Sequence, residues 1–202
     1  MDFLSKGGIL VIPILLCSVL VIAIFFERII RYAVNRSRGK NIEHQVAELI
    51  IRGDITGASD LSRQSHSPMG RVLEKAIDVK DMDKNVLESV IVNATENEVR
   101  DLSSYLQVLA TIGNIAPLLG LLGTIIGMIK AFMVIQQMGG KVNAAVLAGG
   151  IWEAMLTTAF GLAVALPTLV AHSYLLGKVD KYEARLQNGA VLFMKALAKK
   201  GS

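Results

Sequence analysis

Three long stretches without charge constrain this chain more than any other feature. They run from Gly7 to Phe26, from Leu102 to Ile129 and from Ala154 to Gly177, and they hold 20, 28 and 24 residues. A helix needs roughly 20 predominantly apolar residues to cross the hydrocarbon core of a bilayer. The mean hydropathy of +0.50 agrees with such helices. The sequence therefore predicts an all-α membrane protein with three transmembrane helices.

Charge and helical periodicity divide the rest of the chain. Residues 1–27 are predicted to form an outer N-terminus and the first span, and 28–84 a cytoplasmic helical subdomain broken at Gly53 and Asp54. The remaining predicted segments are a stalk with the second span (85–135), an outer loop (136–144), the third span (145–177) and a C-terminal helix (178–202). Since no proline or glycine occurs from Asn85 to Ile112, the stalk is expected to continue unbroken into its span.

Basic residues cluster on one side of the predicted spans. The two clusters are Arg28, Arg31, Arg36, Arg38 and Lys40, and Lys178, Lys181, Arg185, Lys195, Lys199 and Lys200. The other side holds only Lys6, Lys130 and Lys141. The positive-inside rule therefore predicts an N-terminus outside the cytoplasm and a cytoplasmic C-terminus. Arg28 and Arg31 are expected to reach toward lipid phosphates.

One carboxylate and two adjacent hydroxyls interrupt the apolar residues around the third span. Glu153 is predicted to be functional, because an ionisable residue in a membrane segment is costly; the alternative is an interfacial charge or one paired with Lys130. At 100° per residue, Thr157 lies about 40° and Thr158 about 140° from Glu153. Either a pore is shared among several helix faces, or one of these residues seals a subunit contact.

Small residues and prolines mark the second and third spans. Gly120, Gly123, Gly127 and Gly161 suit close helix packing and indicate a homo-oligomer. Pro117 and Pro167 are predicted to kink their helices. If the outer loop is centred on Lys141, Thr124 and Thr158 each lie 17 residues from that centre and share a depth.

Enzyme, metal and nucleic-acid functions find little support. The spans contain no Asp and no nucleophile near His172, so no catalytic residue is predicted. The single cysteine, Cys17, and three scattered histidines offer no metal-ligand spacing, and no cofactor is expected. Basic clusters beside the membrane, with little aromatic interleaving, argue against nucleic acid. A homo-oligomeric channel or a passive membrane scaffold remains.

Two motifs resemble the MotA/TolQ/ExbB proton-channel family. They are Ala116-Pro-Leu-Leu-Gly-Leu-Leu-Gly-Thr-Ile-Ile-Gly127 and Gly150-Ile-Trp-Glu-Ala-Met-Leu-Thr-Thr-Ala-Phe-Gly-Leu162. Three spans and a small cytoplasmic loop are similar to the ExbB and TolQ branches rather than to MotA. The resemblance implies a homopentameric ring in the bacterial inner membrane, which encloses single-span helices of an ExbD- or TolR-like partner.

The resemblance also implies roles for individual residues. Thr124 and Thr158 match the lumen threonines that face the partner's essential aspartate, and Glu153 matches the third-span glutamate. Thr157 departs from the alanine of many members, so the resemblance assigns it no role. The implied function is use of the proton motive force to energise a TonB-like protein for outer-membrane transport. A TolA-like protein of an envelope-maintenance system is the alternative partner.

Overall fold

The computed structural model describes residues 10–39, 41–137 and 144–200, and every regular element within them is a helix. The helices are α1 (Val11–Arg38), α2 (Ile42–Arg52), α3 (Ile55–Gln64), α4 (Pro68–Asp78), α5 (Lys84–Ser103), α6 (Leu106–Gln137) and α7 (Ala144–Lys200). The predicted outer loop at 136–144 lies mostly outside the described residues.

Three of these helices are long and apolar enough to cross a membrane: α1, α6 and α7. The prediction of an all-helical protein with three candidate spans is thereby confirmed. The third of them is longer than the predicted span, because α7 continues without interruption for 57 residues. The predicted segment 145–177 and the described part of the segment 178–202, up to Lys200, therefore belong to one helix.

The chain forms two compact units, which are described separately. The apolar unit comprises residues 1–26 and 105–174, and the polar unit comprises residues 27–104 and 175–202. The core of the polar unit joins residues from α2, α4, α5 and the end of α7. Its most buried members include Val46, Ile50, Val72, Leu73, Leu186 and Phe193.

The predicted break at Gly53 and Asp54 is confirmed, and its geometry explains both residues. Gly53 adopts a left-handed conformation with φ of 83°, which glycine tolerates without a Cβ clash, and ends α2. The Asp54 carboxylate then accepts a hydrogen bond from the Gly57 amide at 2.8 Å and caps α3. One residue stops a helix and the next starts another.

Two ion pairs hold the helices of the polar unit together. Arg71 of α4 binds the Glu98 carboxylate of α5 through two nitrogens, and this hydrogen bonding raises the pKa of the guanidinium above its ordinary value. Arg185 of α7 binds the Glu43 carboxylate at 2.9 Å and also donates to the Gly39 carbonyl. The first pair joins consecutive helices, and the second joins helices that are distant in sequence.

The expectation of an unbroken helix from the stalk into the second span is wrong. Helix α5 ends at Ser103, Ser104 is extended, and Tyr105 is left-handed with φ of 64°. Helix α6 then starts anew, with the Leu109 amide donating to the Tyr105 carbonyl at 3.2 Å. Neither residue is a glycine or proline, so the usual sequence signals of a helix end are missing.

The free carbonyls at the end of α5 are satisfied by side chains of α1. The Tyr32 hydroxyl donates to the Leu102 carbonyl at 2.7 Å, and Arg28 donates to the Asp101 carbonyl at 3.3 Å. A helix end needs such partners, because its last four carbonyls have none within the helix. The prediction that Arg28 reaches lipid is wrong, since its side chain is 0% exposed.

Candidate functional site

The glycines singled out in the sequence lie at the contact between α6 and α7 of one chain. A Cβ built on Gly120 would lie 2.9 Å from Thr158 Cα, and one on Gly127 would lie 2.8 Å from Ala154 Cβ. A Cβ on Gly161 would lie 2.6 Å from the Ala116 carbonyl oxygen. Such approaches require glycine. These small residues were interpreted as contacts between subunits, but they pack the helical hairpin of a single chain.

A regular stripe of small residues on α7 forms its side of this contact. Ala154, Thr157, Gly161, Ala165 and Thr168 recur every three or four residues and are all buried. Thr168 is 0% exposed and donates to the Val164 carbonyl at 2.6 Å. The sequence interpretation missed Thr168, although its spacing from Gly161 and Ala165 was a usable signal.

The carbonyl oxygen of Gly120 accepts hydrogen bonds from the side chain of Thr158 and from the backbone of Thr124. The Thr158 hydroxyl donates across the helix contact to this oxygen at 2.9 Å. Within the α-helix the same oxygen accepts the backbone N–H four residues later, which belongs to Thr124. The two threonines therefore lie within about one helical turn, roughly 6 Å along the helix axis.

The side chain of Thr124 has a different environment from that of Thr158. Its hydroxyl donates to the Leu121 carbonyl of its own helix at 2.6 Å, and the residue is partly exposed. Both hydroxyls keep two lone pairs free to accept further hydrogen bonds. Pro117 lies inside α6 and Pro167 lies inside α7, and both helices continue past their proline.

Thr157 lies at the contact between α6 and α7 of its own chain. It is 2% exposed, and a Cβ on Gly123 would collide with its methyl group. Its hydroxyl donates to the Glu153 carbonyl at 3.0 Å, one turn back on the same helix. Thr157 thus packs between the two helices of one hairpin.

Glu153 is the only predicted site residue with an ionisable side chain. It is half-buried, next to the fully packed Ala154, while Lys130 on α6 is exposed. Among the residues that the structure describes, the ion pairs do not include one between Glu153 and Lys130. The same residues contain no group of three His, Cys, Asp or Glu side chains that could hold a metal.

Comparison with known proteins assigns this hairpin to a family. The model of the MotA/TolQ/ExbB proton channel family matches residues 64–188, which reach from the end of α3 into the second half of α7. The chain belongs to the MotA/TolQ/ExbB proton channel family. That match includes Thr124, Glu153 and Thr158, and it places the chain among channel and transport components rather than in an enzyme class.

Curated relatives in this family carry ExbB names. "Biopolymer transport protein ExbB" of Salmonella typhimurium is 32% identical over 87% of this chain and 75% of its own length. "Putative biopolymer transport protein ExbB-like 3" of Synechocystis is 30% identical over 81% and 79%. "Biopolymer transport protein exbB1" of Vibrio cholerae is 27% identical over 90% and 81%.

Proposed function

We propose that this chain is the proton-channel subunit of an inner-membrane motor, with its N-terminus in the periplasm and its C-terminus in the cytoplasm. Five copies surround the single-span helices of an ExbD- or TolR-like partner, whose carboxylate takes up and releases the proton. The observation that carries the proposal is the Thr158 hydroxyl held on the Gly120 carbonyl, beside Thr124, within the region that matches the family.

The hydrogen bond of Thr158 gives the site two states. While the hydroxyl donates to Gly120, its oxygen can accept from a protonated carboxyl group. An ionised carboxylate offers no proton and only accepts, so Thr158 must leave Gly120 to bind it. Loss or gain of the partner's proton therefore exchanges one hydroxyl orientation for the other.

The membrane potential supplies the work for this exchange. Each charge that crosses gains about 2.3 kcal/mol per 100 mV. Glu153 lies one turn before Thr157 on α7 and supplies a carboxylate on the proton route or at the entrance to it. Rotation of the partner helices against the ring is the proposed output, passed on by the partner's outer domain.

The names of the relatives favour a TonB-like system as the receiver of this work. Three relatives with 27–32% identity are named biopolymer transport proteins of the ExbB type. We therefore propose that the motor energises a TonB-like protein for outer-membrane active transport. A TolQ-like role with a TolA-like protein is tested by complementing strains that lack either system, with uptake and detergent resistance as the two readouts.

Replacement of Thr158 by valine tests the proposed function. Valine keeps the branched shape and removes the hydroxyl, so Thr158→Val is expected to abolish energised uptake while pull-down of the partner stays intact. Thr158→Ser restores the hydroxyl and is expected to retain activity. Thr157→Val is the matched control, because the Thr157 hydroxyl donates to the Glu153 carbonyl of its own helix, and the variant is expected to retain uptake.

The outcomes separate a channel from a passive scaffold. A scaffold needs no hydroxyl, so wild-type uptake by both Thr158→Val and Thr124→Val would rule out the proton route proposed here. Native mass spectrometry in mild detergent tests the assembly independently and is expected to give a pentamer. Only monomers and dimers under those conditions would contradict the ring.

A further inference from the structure

Helix α5 carries an outward face that the core of the polar unit leaves uncovered. Six residues on one side of the helix are all exposed, and this set is called the acidic face: Asn85, Glu88, Ser89, Val92, Asn93 and Glu96. Val92 at its centre is 55% exposed. An exposed valine between two carboxylates is suited to a partner with an apolar centre and flanking cations.

A cavity of about 590 Å³ adjoins the acidic face and lies between α5 and the end of α7. Val92 and Glu96 belong to both the cavity lining and the acidic face. The lining contains two carboxylates, Glu96 and Glu183, and one guanidinium, Arg100. The excess of negative charge extends the acidic face into a groove that can accept a helix.

The end of α7 carries the complementary surface. Six exposed residues on its outward side are called the basic face: Lys181, Ala184, Asn188, Val191, Lys195 and Lys199. Val191 is 52% exposed, and Lys195 follows it one turn later. Lys195 and Val191 are one turn apart, which matches the spacing of Glu88 and Val92 on α5.

The two faces also match in position along their helices. The Tyr32 hydroxyl donates to the Leu102 carbonyl of α5, and the Tyr32 carbonyl accepts from the Tyr182 hydroxyl of α7. Leu102 and Tyr182 therefore lie at similar levels, on either side of Tyr32. Glu88 lies 14 residues before Leu102 on α5, and Lys195 lies 13 residues after Tyr182 on α7. Both helix segments run in the same direction away from the level of Tyr32. At 1.5 Å per residue, the two side chains lie about 21 and 20 Å from that common level.

We propose that the acidic face of α5 is the docking surface for the basic face of α7 from a second copy of this chain. The inference rests on the homo-oligomer of the proposed function and specifies which surfaces meet. Copies in one membrane meet at equal levels, so Glu88 binds Lys195 and Val92 packs on Val191 of the neighbour. Because the two faces differ, the contact is heterologous, and its repetition gives a ring when the rotation between neighbours closes.

Cross-linking between two differently tagged chains tests the contact. One chain carries Glu88→Cys and the other Lys195→Cys, both with Cys17→Ser, so any product with both tags joins two copies. A short bismaleimide applied to membranes is expected to give that product. The control replaces Lys195→Cys by Arg52→Cys, which is also exposed but lies on α2, and is expected to give none.

Charge reversal supplies a second measurement on full-length protein. Glu88→Lys alone is expected to reduce the oligomer in native mass spectrometry, and Glu88→Lys with Lys195→Glu is expected to restore it. An oligomer without the cross-link overturns the docking surface and leaves the channel subunit standing. Monomers without a cross-link overturn both. A basic face occupied by anionic lipid or by another protein gives no doubly tagged product and overturns the docking surface alone.

Discussion

At the scale of single residues, buried polar side chains of α1 do more than the sequence indicates. Arg28 follows an apolar run and is predicted to reach the membrane surface, yet Arg28 and the nearby Tyr32 are both buried in the polar unit. Both side chains donate hydrogen bonds to carbonyls at the end of α5. These carbonyls lack partners within the helix because α5 ends at a break that the usual sequence signals do not predict. Burial of these residues could not be predicted because their partners are created by that break.

The Tyr32 hydroxyl is expected to contribute measurably to stability. Tyr32→Phe removes the 2.7 Å hydrogen bond to the Leu102 carbonyl and leaves it only the 3.5 Å bond from Arg28, which should cost about 0.5–1.5 kcal/mol, the net contribution of a typical hydrogen bond. Thermal unfolding in detergent measures the change, at about 2–4 °C per kcal/mol for a chain of this size.

Thr111→Val serves as the control for this change. It removes an exposed hydroxyl that bonds the Gln107 carbonyl of its own helix, and its unfolding temperature should stay near wild type. If Tyr32→Phe and the wild type unfold at the same temperature, water or another group replaces the Tyr32 hydroxyl at the Leu102 carbonyl.

At the scale of elements, the contact between α6 and α7 explains both what the sequence revealed and what it hid. The motif glycines were correctly associated with close packing, because their spacing is visible in the sequence. Which helix they pack against was not predictable, since a small-residue stripe fits a helix of the same chain or of another equally well. The structure resolves this through Gly127, whose neighbour is Ala154 of the same chain.

Alanine at Gly127 is expected to destabilise the hairpin. The new Cβ would lie 2.8 Å from Ala154 Cβ and 3.2 Å from its Cα, so the two helices must separate. A cost of about 1–3 kcal/mol is typical of overpacking. Thermal unfolding and membrane yield should both fall for Gly127→Ala.

Gly149 supplies the matched comparison on α7. A Cβ there meets nothing within 4 Å, and alanine favours a helix over glycine by roughly 0.5–1 kcal/mol. Gly149→Ala should therefore unfold at or above the wild-type temperature. If Gly127→Ala behaves in the same way, the close approach between α6 and α7 is looser than described.

At the scale of the whole molecule, the orientation in the membrane is the largest expectation still to be tested. Lys and Arg residues predict that the α2–α4 region faces the cytoplasm. In a Cys17→Ser background, Gly140→Cys should react with a membrane-impermeant maleimide in intact spheroplasts, and Arg52→Cys should react only after permeabilisation. Arg52 suits the test because its side chain is 69% exposed, whereas Ser62 in the same region is buried. The reverse labelling pattern would invert the topology.

The whole fold was predictable where local sequence determines structure, and less so where distant residues meet. The lengths of the uncharged stretches predicted three candidate spans. Gly53 and Asp54 predicted a helix break, because glycine adopts a left-handed conformation readily and aspartate caps the next helix. The break at Tyr105 and the place of Thr157 depend on neighbours far along the chain. Depth within the hairpin was predictable because it needs only an antiparallel count from the loop.

The Gly120 carbonyl accepts two hydrogen bonds, one of them from the Thr158 hydroxyl. Its infrared stretching frequency therefore reports the orientation of that hydroxyl. A carbonyl with two donors stretches at a lower infrared frequency than one with a single donor. An isotope-edited band at Gly120 should therefore move to higher frequency whenever Thr158 turns away toward a carboxylate, and it should stay there in Thr158→Val. The proton cycle would then be readable from the backbone, without any label on the partner.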